Sequence, residues 1–329
     1  MREKIIKILR QHSNQHVSGE KLSEKLEVSR TAIWKNINIL KEEGYKIESV
    51  PRKGYILRGT PDLLSEIEIQ SGLQTKIIGK EIIHFDSITS TNDTAKEFAL
   101  KRAKEGLVIT AEEQLKGRGR RGRTWESPKG TGIWMTILLR PDISPSQGPK
   151  FTLLSAVAVA KSIKEVTGLN AKIKWPNDII INNKKVCGIL TEMNAEIDFV
   201  NHIIIGIGVN VNAMQDDFPI EVQQRAISLA QETGKKVSRQ ELARKILENI
   251  EKRYLAFIQG MDFENILEEW KGLSCNLGKQ VKATVNGKEL IGTAVDINKD
   301  GALILKTDEE KFIEINYGDV MVRGIDNYV

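Results

Sequence analysis

Residues 117–123 read GRGRRGR, four arginines interleaved with three glycines. Arginine carries a fixed charge on a planar fork that matches carboxylate and phosphate oxygens, and glycine lets backbone approach a ligand closely. Together they can close over an anion. Formally, Gly117 to Gly122 fits G-x-G-x-x-G, but a dinucleotide-binding turn must open a helix, and here RTWESPKGTG follows, with Pro128, Gly130 and Gly132. A G-x-x-x-x-G-K-[ST] run is absent from the sequence. An arginine-glycine arm for nucleic acid would be repeated or lie in an unstructured neighbourhood, whereas this segment stands alone between two patterned strands. A ligand clamp is the better reading.

Other polar residues fall at predicted turns and strand ends. They are Ser90, Thr91 and Asn92 before a helix, Gln114 at the end of a strand, Lys174, Asn177 and Asp178 around KWPND, Lys185 and Gly188 in KKVCG, and Asn210 in GIGVN. Each has a purely structural reading: Ser90 to Asn92 as a helix cap, Pro176 to Asp178 as a turn, Lys185 as a solvated hairpin lysine, Asn210 as a strand terminator. Spacing alone does not bring them into one site.

The elements that must position these residues form three blocks. The chain has 329 residues, 40% of them hydrophobic, enough for two or three domains. No stretch approaches the roughly 20 apolar residues of a membrane span, and MREKIIKILRQ puts charges where a secretory segment is apolar, so the expected compartment is the cytoplasm and no membrane partner is expected. Two cysteines, Cys187 and Cys275, and four scattered histidines give no disulfide framework and no resident metal site.

Residues 1–60 hold 13 Lys and Arg against 7 Asp and Glu, a net of +6, while the remaining 269 residues hold 36 against 37. A polyanion is therefore expected to meet the N-terminal block alone. Its pattern is REKIIKILRQ, then SGEKLSEKL with Ser18 as N-cap, a short EVS turn, and SRTAIWKNINILKEEG capped by Ser29 with Ile33, Ile37 and Leu40 in one stripe. YKIESVPRKGYIL then predicts a hairpin with Arg52 and Lys53 at its tip. This is a winged helix-turn-helix. A helix-turn-helix over Ser18–Ile37 would place Ser29, Arg30, Thr31 and Lys35 in a major groove and the wing on backbone phosphates; the alternative is a protein-interaction module with a solvated basic face. Trp34 is expected to pack.

Residues 59–66 predict a linker into a short helix. The body beyond it mixes strands joined by hairpins with helices grouped elsewhere, which argues for an α+β layer and against alternating βαβ units. The last sixty residues show short alternating strands with NG and DG turns, predicting a small β-barrel.

Taken in order, STN, GRGRRGRTW, KWPND, KKVCGIL and GIGVNVN resemble the biotin protein ligases, and the winged helix is similar to that of the bifunctional members that are also biotin operon repressors. The resemblance covers essentially the whole chain. It implies an α+β multidomain protein: a winged helix-turn-helix over 1–60, a central α/β catalytic domain of class II synthetase-like architecture over 61–271, and an SH3-like C-terminal β-barrel over 272–329. It implies ATP with Mg²⁺ and biotin as substrates, biotinyl-5′-AMP as intermediate, and the biotin carboxyl carrier protein of acetyl-CoA carboxylase as acceptor. Operator DNA and a homodimer promoted by the adenylate are the other implied partners.

By the same resemblance Ser90, Thr91, Asn92 and Gln114 hold the biotin rings, and Gly117, Arg118, Gly119 and Arg120 cover the carboxylate end. Lys185 binds the carboxylate or adenylate phosphate, Gly188 and Ile189 wall the sulfur ring, and Trp125 packs on adenine. Arg121, Arg123, Lys174, Asn177, Asp178 and Asn210 lie near the adenylate or its metal. The chemistry fits these residue types: a carboxylate attacking an α-phosphate brings like charges together at about 4 kcal/mol per pair near 4 Å at an effective dielectric of about 20. Arg118, Arg120, Arg121 and Lys185 can offset that repulsion, so these four are the candidate catalytic residues and no enzyme nucleophile is needed. A regulator that only senses a small molecule, and a lipoate-type ligase, are the competing readings.

Overall fold

The computed structural model describes residues 1–12, 14–260, 263–285, 288–316 and 320–324. Helices α1 (Arg2–Gln11), α2 (Gly19–Leu26) and α3 (Arg30–Glu42) form the N-terminal block. The Ser18 and Ser29 hydroxyls accept from the Lys21 and Ala32 amides at 3.0 and 3.2 Å, satisfying donors that the first turns leave open. Ile5, Ile6, Leu22, Ile33, Ile37 and Leu40 are fully buried together. Strands β1 (Lys46–Val50) and β2 (Gly54–Gly59) pair as the wing, with Arg52 and Lys53 exposed at its tip. Trp34 corrects one expectation: it is 58% exposed, because α3 has a single buried stripe and Trp34 lies one step round the helix from it.

A buried carboxylate joins this block to the body. Glu68, in α4 (Glu66–Gln70), is 2% exposed and accepts from Arg10 Nη2 at 2.7 and 2.6 Å and from the Tyr45 hydroxyl at 2.6 Å. Burial and the neighbouring Glu68 carboxylate push the Tyr45 phenol well above its ordinary range.

The body is built on a seven-stranded sheet of β3 (Ile82–Phe85), β4 (Val108–Ala111), β5 (Gly132–Leu139), β6 (Lys172–Lys174), β7 (Asp178–Ile181), β8 (Lys184–Ala195) and β9 (Val200–Asn210). Its order is β3-β4-β5-β9-β8-β7-β6, and every neighbouring pair is antiparallel except β3 and β4. Strand alternation gives the sheet two unequal faces. Ile203, Ile205, Ile207 and Val209 of β9 join the main core with α6 (Lys150–Thr167) and, beyond the short helices α7 (Ile220–Gln223) and α8 (Leu229–Thr233), with α9 (Arg239–Ile258) and α10 (Phe263–Leu273). Ile204 joins a smaller cluster with Ala95 and Ala99 of α5 (Thr91–Leu100). The face shared with α5 also carries Gly206 and Gly208. Helix α10 ends two residues past the boundary expected at 271.

Helix α9 is anchored by its first residue. Arg239, 1% exposed, donates to Glu112 Oε2 at 2.8 Å, to the Gly132 carbonyl at 3.2 Å and to Asp62 Oδ1 at 3.0 Å, while Glu112 Oε1 accepts from the Leu64 amide at 2.8 Å. The predicted linker is thereby pinned to the sheet.

Strands β10 (Gln280–Val285), β11 (Lys288–Ile297), β12 (Leu303–Lys306), β13 (Phe312–Ile315) and β14 (Val320–Gly324) form an antiparallel sheet of order β13-β12-β11-β10-β14. Among the described residues its two edges are not paired with each other. The turn expected at Asn286 and Gly287 lies outside the described residues. This sheet reaches back into the body: the Trp175 amide donates to Asn276 Oδ1 at 2.7 Å, and the Trp175 indole donates to the Gly301 carbonyl at 3.1 Å. Among the described residues no helix is long and apolar enough to cross a membrane.

Candidate active site

One cleft on the α5 side of the sheet is lined by Ser90, Thr91, Asn92, Gln114, Arg118, Gly119, Arg120, Arg121, Arg123, Trp125, Lys174, Asn177, Asp178, Lys185 and Gly188. Segments spread over about a hundred residues of sequence thus converge on one cleft. Gly117 lies on the outer side of the arginine segment, lining the adjoining groove.

The polar end is built from α5. Ser90 caps the helix, its hydroxyl accepting from the Asp93 amide at 3.4 Å. Gln114 Oε1 accepts from the Thr91 amide at 2.9 Å and the Thr91 hydroxyl at 3.0 Å, and its amide nitrogen donates to Ser127 Oγ at 2.9 Å. The Thr136 hydroxyl lies 2.8 Å from Thr91 Oγ1 and 2.7 Å from Asn92 Oδ1, and Asn92 Nδ2 donates to Glu192 at 2.8 Å. These side chains are held by each other, so the uncharged hydroxyl and amide groups are preorganised.

The floor is made by glycine. Gly188 and Gly208 are register partners across β8 and β9, and both lie under the Trp125 ring; a Cβ on Gly208 would overlap the indole, and one on Gly206 would overlap the Asn92 amide. Gly208→Ala is therefore expected to displace the Trp125 ring from the cleft floor with little change in folding. A shift in tryptophan emission and in its quenching by acrylamide, beside an unchanged melting curve, checks it.

The arginine segment folds back on itself. Trp125 N donates to the Gly117 carbonyl at 2.9 Å, Gly119 N donates to the Arg123 carbonyl at 2.7 Å, and Arg121 takes a left-handed conformation at φ 58°. A Cβ on Gly117 would meet the Trp125 carbonyl, so that position requires glycine. Arg118 Nε donates to Asp93 at 2.7 Å, and Arg120 Nη1 donates to Asn177 Oδ1 at 3.2 Å. Asn177 is fixed in turn by the Ile189 backbone, donating to its carbonyl at 2.7 Å and accepting from its amide at 3.0 Å.

Lys185 sits where the two halves meet. The hairpin that presents it turns at Asn182 and Asn183, both left-handed with φ 47° and 62°. Its ammonium is 2.6 Å from Asp178 and 5.0 Å from the Trp125 ring centroid. Cys187, beside it, is fully buried, and burial pushes its thiol far above the ordinary range, which leaves it a packing residue.

Asn210 is not brought to the cleft lining. It shares a strand face with Gly206 and Gly208 but lies one repeat further on, where its amide donates to the Ile227 carbonyl at 3.3 Å. There it ties down the segment AMQDDFPIEVQQRA at the end that runs into Ile227. Lys185 N donates to the Arg225 carbonyl at 2.7 Å, Ile227 N donates to the Lys185 carbonyl at 3.0 Å, and the Arg225 side chain lines the cleft. Nothing in AMQDDFPIEVQQRA signals this. Val322 of β14 and Gly206 are further lining residues that sequence reading missed, although the alternation of glycines in GIGVN pointed to Gly206.

Residues 84–210 match the biotin/lipoate A/B protein ligase family, residues 1–56 an HTH domain and residues 277–323 the biotin protein ligase C terminal domain. Across 310 residues, 94% of this chain and 95% of the relative, the sequence is 45% identical to the bifunctional ligase/repressor BirA of Bacillus subtilis. The chain belongs to the biotin protein ligases. This ligase is also 32% identical to the bifunctional ligase/repressor BirA of Escherichia coli, over 88% of each chain. It superposes on the biotin protein ligase of Aquifex aeolicus in complex with biotin and ATP with a TM-score of 0.65, at 28% identity, covering 74% of this chain and 99% of that one.

Proposed function

We propose that this ligase joins biotin to ATP as biotinyl-5′-AMP, transfers the biotinyl group to a lysine of a biotin carboxyl carrier protein, and represses transcription through its winged helix. The observation that carries the reading is the convergence of Arg118, Arg120 and Lys185 on one cleft whose other end is neutral and polar. Biotin has that shape of demand: an uncharged ureido ring and an anionic tail. Relatives named as biotin–[acetyl-CoA-carboxylase] ligases favour biotin over lipoate.

In the first step a biotin carboxylate oxygen attacks the α-phosphorus of MgATP and the bond to pyrophosphate breaks. Lys185 exchanges Asp178 for the incoming carboxylate, while Arg118 and Arg120 face the charge that moves onto the phosphates; all three act by position and field. Arg121 and Arg123, with Lys174, Asn177 and Asp178, lie towards the nucleotide, and Trp125 offers its ring to adenine. In the second step the carrier lysine, as a free amine, attacks the acyl carbon; AMP leaves and the nitrogen loses a proton. Arginines folded over the cleft keep the mixed anhydride from water.

Further parts of the reading are the relation of the central sheet to class II synthetases, SH3-like closure of the C-terminal sheet and a cytoplasmic location. So is a homodimer favoured by the adenylate, which would set two winged helices on a two-fold-related operator. Ser29 serves there both as the cap of α3 and as a groove-facing residue.

Labelled biotin, ATP and a carrier domain test the function directly. Labelled carrier is the expected result; adenylate without transfer, or no product, overturns it. In the same preparation Arg30→Ala or Lys35→Ala is expected to weaken operator binding about tenfold and leave labelling of the carrier unchanged. Equal loss of both activities would contradict two separable modules.

A further inference from the structure

The five tryptophans divide sharply. Trp134, Trp175 and Trp270 are at most 1% exposed, and Trp125 lines the active-site cleft, but Trp34 presents 58% of its surface to solvent. Helix α3 packs through Ile33, Ile37 and Leu40, so the indole adds little to that core. Its neighbours on the outer face are Arg30 and Thr31, one turn back, and Lys35, all exposed. The first turn of α3 contains no acidic residue, and the block as a whole carries a net of +6; the nearest preceding carboxylate, Glu27, lies before the cap.

A wide apolar ring set among cations fits a polyanion that also offers apolar surface. The major groove of B-DNA has both, in its flanking phosphates and the 5-methyl groups of thymine. We propose that Trp34 is a base-reading residue, its indole packing on thymine methyl groups of the operator while Arg30 and Lys35 hold phosphate or guanine. The proposal rests on the DNA-binding reading of the winged helix and deepens it. Residues near the start of such a helix reach base edges, and Trp34 is the fifth residue of α3. A neutral side chain releases no counterions on binding, so Trp34 supports discrimination between sequences and leaves the salt dependence of binding to the cations.

The test uses the full-length protein with biotin and MgATP, and a duplex enriched by the wild-type protein from a random pool. Trp34→Ala is expected to lose about tenfold in affinity for that duplex, with the slope of log affinity against log salt unchanged. Lys35→Ala is expected to lower that slope instead. Replacing thymine by uracil within the enriched site should weaken the wild type by a similar factor and leave Trp34→Ala unaffected, with Trp34→Phe intermediate. A far-UV circular dichroism spectrum and a melting curve matching those of the wild type show that the N-terminal block of each variant is folded, and unchanged carrier labelling shows the same of the body. The proposal is overturned if Trp34→Ala binds the duplex as tightly as the wild type, or if uracil weakens both proteins equally. Shielding of Trp34 from acrylamide at rising protein concentration without DNA would assign the ring to a protein interface and overturn it as well. Failure of the DNA reading itself looks different: the wild type then enriches no duplex at all.

Discussion

Lys185→Ala is expected to slow biotin-dependent pyrophosphate release by about two to three orders of magnitude, the loss typical of removing one donor from a charge-stabilising site. In the free protein the Lys185 ammonium is 2.6 Å from Asp178, so the substitution does more than delete a cation. It leaves the Asp178 carboxylate facing an arriving biotin carboxylate and the phosphates of ATP, adding a repulsion to those the reaction already contains. Lys185→Arg keeps the charge but spreads it over a fork of different reach, and is expected to recover only part of the rate. Stopped-time assays of pyrophosphate with saturating ATP, alongside melting curves, separate chemistry from folding. A rate within twofold of wild type would remove Lys185 from the mechanism.

Arg239→Met is expected to cost about 3–5 kcal/mol of stability in the central domain, as when one partner of a buried ion pair is removed. The guanidinium is 1% exposed and is shared by Glu112, Asp62 and the Gly132 carbonyl. Glu112, itself 1% exposed, would keep the Leu64 amide as a partner but lose its counter-charge. Urea unfolding followed by the emission of the buried tryptophans gives the midpoint, and Arg239→Met combined with Glu112→Gln should regain part of the loss. An unchanged midpoint would show that the pair is not desolvated in solution. The two substitutions read opposite things: Lys185 costs rate with little stability, and Arg239 costs stability first.

Much of this was legible in the chain. The core stripe Ile33, Ile37 and Leu40, the caps Ser18 and Ser29, the wing and the NN hairpin follow from local periodicity and turn chemistry, which need only near neighbours in sequence. The cleft residues were visible as motifs, but their convergence was not, because it depends on β9 pairing with β5, a strand distant in sequence, as well as with its neighbour β8. Arg225 carried no motif at all; it reaches the cleft because its backbone pairs with Lys185, and a single long-range bridge leaves no periodic trace. Asn210, conversely, ended a recognisable motif yet serves the segment behind the cleft. Trp34 shows the limit of pattern in another way. Its helical position was plain, but whether one residue beside a buried stripe is covered depends on what else packs there.

The contacts of Trp175 have a practical consequence for anyone shortening this protein. The turn that carries Asn177 and Asp178 follows directly on a residue whose amide and indole are both satisfied from beyond residue 273, by Asn276 and Gly301. Excising the last domain as if it were an appendage would strand two donors in the interior of the piece that was kept. A minimal engineered enzyme has to retain that tail or redesign the tryptophan, whereas the first sixty residues meet the body through the Glu68 joint, well away from the chemistry.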